Sequence, residues 1–369
     1  MSNQLSKPKN NLRILNLINN VNITAALIAF LSVVVLCTIL HIAKNIFIPL
    51  VTAWFILQIL RPVNLIGNKL HIHPYFNLML SFLVLIGIAL GGGRFIGSLA
   101  VDFNDVYIRY AATLRERYNG LLALMNITPE MLSTMNWANI GFDFIKSSTG
   151  YVVNFLVEFS NKFFMTIFFL MFMLVEAPYV ERKIDLAFRG ATGNKIKGIL
   201  QAISSQVRSY LINQTLLSLA TALCVWGILA IMKVELARGW AVLTFFLNFI
   251  PNVGSIIATI LPVAMSLIQF PTFFEPIIVL VTVTVIQMVI GNIIGPKILS
   301  ESLGVSPVVI LLFLLFWGMI WGVPGAFLSV PIASIIKICC ENVSPLKPIA
   351  IMMGNMSPIS NSDKDNNNE

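Results

Sequence analysis

Apolar residues fill this chain in long unbroken runs, and charged residues mark where the runs stop. No Asp, Glu, Lys or Arg lies between Arg13 and Lys44, Lys69 and Arg94, Arg208 and Lys233, Arg238 and Glu275, Glu275 and Lys297, or Glu301 and Lys337. A helix needs roughly 20 apolar residues to cross the hydrocarbon core of a bilayer, and each gap is that long. The pattern predicts spans near 23–42, 75–96, 210–232 and 276–295. A shorter stretch, 46–60, carries Pro49 and is expected to end at Arg61-Pro62, where proline opposes continuation of a helix. Another span, 151–175, opens with Asn154, Glu158, Asn161 and Lys162 and becomes wholly apolar from Phe163.

Two runs are too long for one crossing. Residues 239–274 carry no charge, and as a single helix they would reach about 54 Å against a core of about 30 Å. Residues 302–336 pose the same problem. Each run holds a break: Asn248-Phe249-Ile250-Pro251-Asn252-Val253-Gly254 in the first, Trp321-Gly322-Val323-Pro324-Gly325 in the second. Each follows an ordinary span, so the two pairs read as a duplicated unit in parallel orientation. The expected fold is all-α and polytopic, with about eight transmembrane helices, two of them Pro/Gly-broken.

Residues 97–150 differ, with charges of both signs. Ile96, Leu99, Phe103, Val106, Tyr110 and Leu114 recur at helical spacing and form one apolar seam. Thr128-Pro129-Glu130 has the form of a helix start, with Thr as N-cap. This segment is expected to lie on the membrane or against a neighbouring subunit. The remaining organisation is an N-terminal segment 1–22, spans 23–96 and 151–340 with a basic stretch at 177–208, and a cytoplasmic tail 341–369 expected to be disordered from Ser357, where it turns Asn/Ser/Asp-rich. Lys and Arg in short loops mark the cytoplasmic side. That rule puts both termini and 177–208 inside and 97–150 outside, and leaves Lys233, Arg238 and Lys297 outside against the trend.

Composition agrees. Hydrophobic residues make up 57% and charged residues 11% of the chain, with mean hydropathy +0.86. Soluble domains are about 25% charged, so water is excluded as the solvent for most of this surface, and no soluble segment is long enough for a catalytic domain. The net charge of +8 sits mainly on the segments assigned to the cytoplasm, which suits anionic lipid headgroups rather than nucleic acid. Cys37, Cys224, Cys339 and Cys340 lie in or beside apolar stretches, without metal-site spacing, and read as packing residues.

Chemistry should concentrate at the breaks. Irregular backbone at membrane depth survives only inside protein or beside a water-filled cavity, and broken helices of transporters use such backbone to bind solute. Asn248, Pro251, Asn252 and Gly254 are the first candidate site, and Pro324 and Gly325 the second. The bland alternative for both is a kink that helps helices pack. In the span near 276–295, Thr284, Gln287 and Gly291 share a helical face, with Asn292 well off it; Gln287 and Asn292 could contact a polar solute or bond a neighbouring helix. No carboxylate lies mid-span beyond Glu158, which Lys162 neutralises at i,i+4 spacing. His71-Ile72-His73 supplies only two ligands, and Gly91-Gly92-Gly93-Arg94 lacks the Lys-Ser/Thr of a phosphate loop. No catalytic constellation, cofactor motif or metal site is expected.

With these residues the chain resembles the autoinducer-2 exporter (AI-2E) family of bacterial permeases. The matching stretches are Asn248–Gly254, Gly291-Asn292-Ile293-Ile294-Gly295-Pro296-Lys297, Leu303-Gly304-Val305-Ser306-Pro307, and Gly322-Val323-Pro324-Gly325-Ala326 running to Pro331. Arg61-Pro62 and Leu174-Val175-Glu176 also fit. Pro296 joins the candidate gating residues on this ground. The resemblance implies a permease of the bacterial cytoplasmic membrane, homo-oligomeric, with a pentamer as one candidate assembly. Its members are linked to autoinducer-2 export and to sodium or lithium/proton antiport. Export of a small polar solute is the first functional expectation, cation/proton antiport the second, and a non-transporting scaffold built on 97–150 the third.

Overall fold

The computed structural model describes residues 30–69, scattered positions from 79 to 110, 162–188, 190–295, 297, 298 and 304–355, besides Thr24, Leu27 and Ile28. Among these, the backbone is helical almost throughout; the lone β-bridge joins Val305 to Gly354. The helices are α1 (Phe30–Ile42), α2 (Lys44–Lys69), α3 (Lys162–Ala187, with a 3₁₀ turn at Ala177–Tyr179), α4 (Ala191–Ile231), α5 (Ala237–Leu247), α6 (Val253–Gln269), α7 (Phe274–Gln287, continued by a π-helix at Met288–Ile294), α8 (Pro307–Trp321), α9 (Val323–Asn342) and α10 (Lys347–Met353).

The spine is α4. Its 41 residues reach about 60 Å, twice the hydrocarbon core, so half of the basic stretch 177–208 is the end of a membrane helix rather than a separate loop. The first half of α4 packs Ile203, Val207, Tyr210 and Leu211 against Ile48 and Phe55 of α2, Trp317 and Ile320 of α8, and Leu328 and Ile338 of α9. Its second half packs Val225 and Leu229 against Trp240 of α5, Met265 of α6, and Val279 and Val283 of α7. A third cluster joins Ala53 and Leu60 of α2 to Leu170 and Leu174 of α3. Outward faces stay apolar, as on Phe164, Leu216, Leu280 and Leu315. Water would penalise that surface and lipid accepts it.

By length and apolarity, α3, α4, α7 (with its π-helix) and α9 can cross a membrane, and the bent pair Phe30–Ile42 and Lys44–Leu60 passes the same test only when its two arms are counted as one broken span. The expected eight crossings rest on more than these lengths supply. The run 239–274 is divided into α5 and α6, of 11 and 17 residues, and α8 has 15; all fall short of the roughly 20 that a crossing needs. Most of span 75–96 and all of 111–161 lie outside the described residues.

Three local expectations change. First, spans one and two are separated by Ala43 alone and bend by 89° there. The bend is braced from α8: the Trp321 indole N–H donates to the Leu40 carbonyl at 3.0 Å, and His41 Nδ1 donates to the Ile320 carbonyl at 2.8 Å. Second, α2 does not stop at Arg61-Pro62 but continues to Lys69. A proline removes one donor, and in a membrane bundle neighbouring groups can satisfy the freed carbonyl. Third, the described part of 97–150 packs on its own chain. Val106 joins the second α4 cluster, Arg238 pairs with Asp102 at 3.0 Å, and Arg109 pairs with Glu235 at 3.2 Å. Arg238, which ran against the charge rule, is therefore neutralised locally.

Candidate functional site

A cavity of about 710 Å³ opens at the middle of α4, between the two core clusters. Tyr210, Gln214 and Leu217 of α4 line one side. The α5–α6 break and the first turns of α6 supply Asn248 to Asn252, Ser255 and Thr259. From α7 and its π-helix come Thr284, Gln287, Gly291 and Asn292, and beyond it Gly295; Gly304, Val305 and Asn355 add to the wall, and apolar side chains that include Ile256, Ile260, Met288, Leu311, Leu314 and Val330 make up most of the rest. No Asp, Glu, Lys, Arg or His is among these lining residues. The polar lining is amide, hydroxyl and backbone.

The α5–α6 break is held from α4. Gln214 Nε2 donates to the Asn248 carbonyl at 2.7 Å, and Asn248 Nδ2 donates to Thr221 Oγ at 3.1 Å. One orphan carbonyl at the end of α5 thus receives a side-chain donor. Asn252 has φ 60° and ψ −51°, and the Val253 N–H donates to the Pro251 carbonyl at 2.6 Å. This is a γ-turn of the rare positive-φ kind, a strained geometry. Such strain costs of order 1–3 kcal/mol and collects at ligand clamps and gates. The turn lays the start of α6 over the end of α5 so closely that a Cβ on Gly254 would sit 1.7 Å from the Leu247 carbonyl oxygen. Phe249 stacks on Phe327 of α9, ring centroids 4.4 Å apart.

Along α7, Pro276, Val279, Val283 and Gln287 form the buried stripe, and the first three are apolar. Gln287 stands where an apolar side chain would pack, at 7% exposure, and its Nε2 has no hydrogen-bond partner. A buried donor left unpaired costs about 1–3 kcal/mol. From Met288 the helix changes to π geometry, whose i→i+5 bonds take more residues per turn. That widening narrows the angle between Gln287 and Asn292, so both line the cavity although α-helical spacing sets them well apart.

Of the sequence-predicted residues, Asn248, Pro251, Asn252, Gln287 and Asn292 line the cavity together. Gly254 lies beneath the turn rather than on the wall. Pro324 and Gly325 lie in the second break, away from the cavity lining, and Pro296 falls outside the described residues. The second break shares the first one's construction. Gly322 has φ 68°, and a Cβ on Gly325 would meet the Trp317 carbonyl oxygen at 2.0 Å. Here the close approach lets α8 and α9 pack side by side.

Sequence reasoning did not find Gln214, Thr221, Ser255, Thr259 or Asn355. Gln214 and Thr221 lie seven residues apart and so on one face of a charge-free span that also carries Asn213, Thr215 and Ser218, and that spacing was the available signal. Asn355 had none. It is placed by the bridge Val305–Gly354, with the Ser306 N–H donating to the Met353 carbonyl at 2.9 Å and the Asn355 N–H donating to the Gly304 carbonyl at 3.0 Å.

Helices with apolar outward faces, discontinuous helices and, between them, a largely apolar cavity with amides and hydroxyls in its wall define a multi-pass membrane protein of transporter type. A family model described as "AI-2E family transporter" matches residues 27–344, and the chain belongs to that family. It is 30% identical over 336 residues to the AI-2 transport protein TqsA of Escherichia coli K12, covering 88% of this chain and 94% of that protein. It is also 30% identical over 332 residues to the transport protein YhhT of the same organism, covering 89% and 93%. A transport protein of Borreliella burgdorferi is 33% identical over 252 residues, 66% of this chain and 68% of that one. Membership places the chain among transporters.

Proposed function

We propose that the chain exports a small, uncharged polar solute through the α4–α7 cavity, with autoinducer-2 as the first candidate. The observation that carries this reading is the lining: about 710 Å³, within the usual size of a small-molecule site, largely apolar, with amides and hydroxyls as its polar side chains and, among the described residues, no ionisable acid or base other than the Tyr210 phenol. A neutral solute exchanges water for these groups without leaving a buried charge unpaired. The relative named as an AI-2 transport protein supports the candidate. The same reading places the chain in the bacterial cytoplasmic membrane as a homo-oligomer, both termini inside, with the Asp102–Arg238 pair on the outer side.

Sodium or lithium/proton antiport draws no comparable support. Glu275 is hydrogen-bonded by Thr272 and is not among the lining residues, and Glu158 and Glu301 fall outside the described residues. For the scaffold reading, the described part of the seam is already used, since Leu99 and Val106 are buried within this chain.

The test is expression in a strain that makes autoinducer-2 but lacks its own exporter. Intracellular signal should fall and extracellular signal rise relative to an empty vector. Equal levels on both sides of the membrane with and without the protein would sink the proposal.

A further inference from the structure

Gln287 has no structural reason to be an amide. It ends a buried stripe whose other members are Pro276, Val279 and Val283, and Met would fill the same length. Its Nε2 is buried and unpaired, while the other two amides nearest the break are committed: Gln214 Nε2 to the Asn248 carbonyl and Asn248 Nδ2 to Thr221. Each of those two keeps its side-chain oxygen as an acceptor. Among the described lining residues, Gln287 therefore holds one unused buried donor at a cavity whose neighbouring amides offer acceptors.

We propose that Gln287 is the specificity-determining residue of this cavity, donating its amide N–H to an acceptor oxygen of a neutral, hydroxyl-bearing solute whose own O–H groups turn to the Gln214 and Asn248 side-chain oxygens. A solute lacking that acceptor leaves the donor unpaired and is rejected, because a site built to hydrogen-bond an oxygen discriminates strongly against its absence. The π-helix beginning at the next residue serves the same end, turning Asn292 toward this wall. The proposal rests on the export reading for the direction of movement but not for the binding itself.

The experiment uses the full chain in lipid nanodiscs and in proteoliposomes, as wild type, Q287M, Q287E and the control V285A, which alters an exposed position outside the cavity lining. Thermal midpoints are measured with and without autoinducer-2, dihydroxyacetone, ribose and glycerol at millimolar concentration, and efflux of autoinducer-2 from preloaded vesicles is followed. The expected result is an unliganded midpoint for Q287M equal to or above wild type, since no internal hydrogen bond is lost. At least one oxygenated probe should stabilise wild type and V285A, with the shift lost in Q287M. Efflux by Q287M should fall roughly tenfold, the worth of one hydrogen bond, through a raised KM rather than a lowered maximal rate. Q287E, which exchanges the donor for an acceptor, should fail like Q287M. If Q287M melts several degrees below wild type, the amide is structural and the proposal is overturned. It is equally overturned if no probe stabilises wild type, or if Q287M keeps the full shift. If wild type binds a probe through Gln287 yet moves no autoinducer-2, the candidate substrate fails and the assignment of Gln287 stands.

Discussion

Asn248 donates its side-chain amide to the hydroxyl of Thr221 at 3.1 Å, and that hydroxyl donates onward to the Leu217 carbonyl at 2.8 Å. The break between α5 and α6 is thus pinned to the longest helix of the fold. Thr221 is fully buried, so Thr221→Val keeps its shape and strands the Asn248 amide. The expected loss is about 1–3 kcal/mol of stability, seen as a lower thermal midpoint of the purified protein. Thr215→Val, which removes only a hydroxyl bonded within its own helix, should change little. Equal midpoints for the two variants would remove the pin from the account.

How much of this was legible in the sequence follows from what each signal reports. Charge-free runs report lipid-compatible length, so the helices and the division of 239–274 near Asn248–Gly254 were readable. Bends are set by tertiary contacts, and the 89° turn at Ala43 depends on Trp321 and Ile320, nearly 280 residues away. Pro62 misled because the rule that proline ends helices comes from water, whereas a bundle can satisfy the freed carbonyl. Gln287 and Asn292 were found as costly intramembrane amides. Their sharing of one wall was not foreseen, because α periodicity was assumed where the helix is π.

The two glycines behind the breaks give a sharp steric prediction. A Cβ at residue 254 or 325 would meet backbone oxygen at 1.7 or 2.0 Å, whereas at Gly318 the nearest atom is the Ala326 Cβ at 3.9 Å. Gly254→Ala and Gly325→Ala should each destabilise by at least about 1–3 kcal/mol, the usual scale of overpacking. Gly318→Ala should be neutral or stabilising, since alanine is the better helix former. The readout is the yield of folded protein from detergent and its thermal midpoint.

Asn252 bears the strain of the γ-turn, and its side chain is exposed. Glycine adopts positive φ without a Cβ penalty, so Asn252→Gly should raise stability by up to about 1 kcal/mol. Asn252→Val should lower it, because a β-branched residue tolerates positive φ least. If strain at the turn serves gating, Asn252→Gly will also slow efflux while leaving the amount of folded protein unchanged. A gain in both stability and rate would show that the strain has no part in transport.

Orientation can be checked by labelling. The ends of α4 are about 60 Å apart, too far for both to lie on one side of the bilayer it crosses. With the four native cysteines replaced, a cysteine at Arg109 or Lys233 should react with a membrane-impermeant maleimide in intact cells. One at Lys195 should react only after permeabilisation. The reverse result would invert the assigned topology without disturbing the fold.

The C-terminal clasp supplies the last test. Val305–Gly354 bridging and the two hydrogen bonds around it place Asn355 on the cavity wall, while Ala350 and Met353 are buried at 3% and 7% exposure. The family match ends at residue 344, so this wall is built by a segment beyond it. A chain ending after Asn355 keeps every one of these contacts and should match wild type in melting and efflux. A chain ending after Val343 loses the buried pair and exposes the Gly304 carbonyl and the Ser306 N–H. Burying one large side chain is worth about 1.5–3 kcal/mol, so its midpoint should drop by several degrees. If the clasp closes the cavity, that chain should also leak autoinducer-2 from preloaded vesicles faster than wild type. A shorter chain that melts lower but shows unchanged efflux would mark the clasp as support for the fold and leave closure of the cavity to other residues.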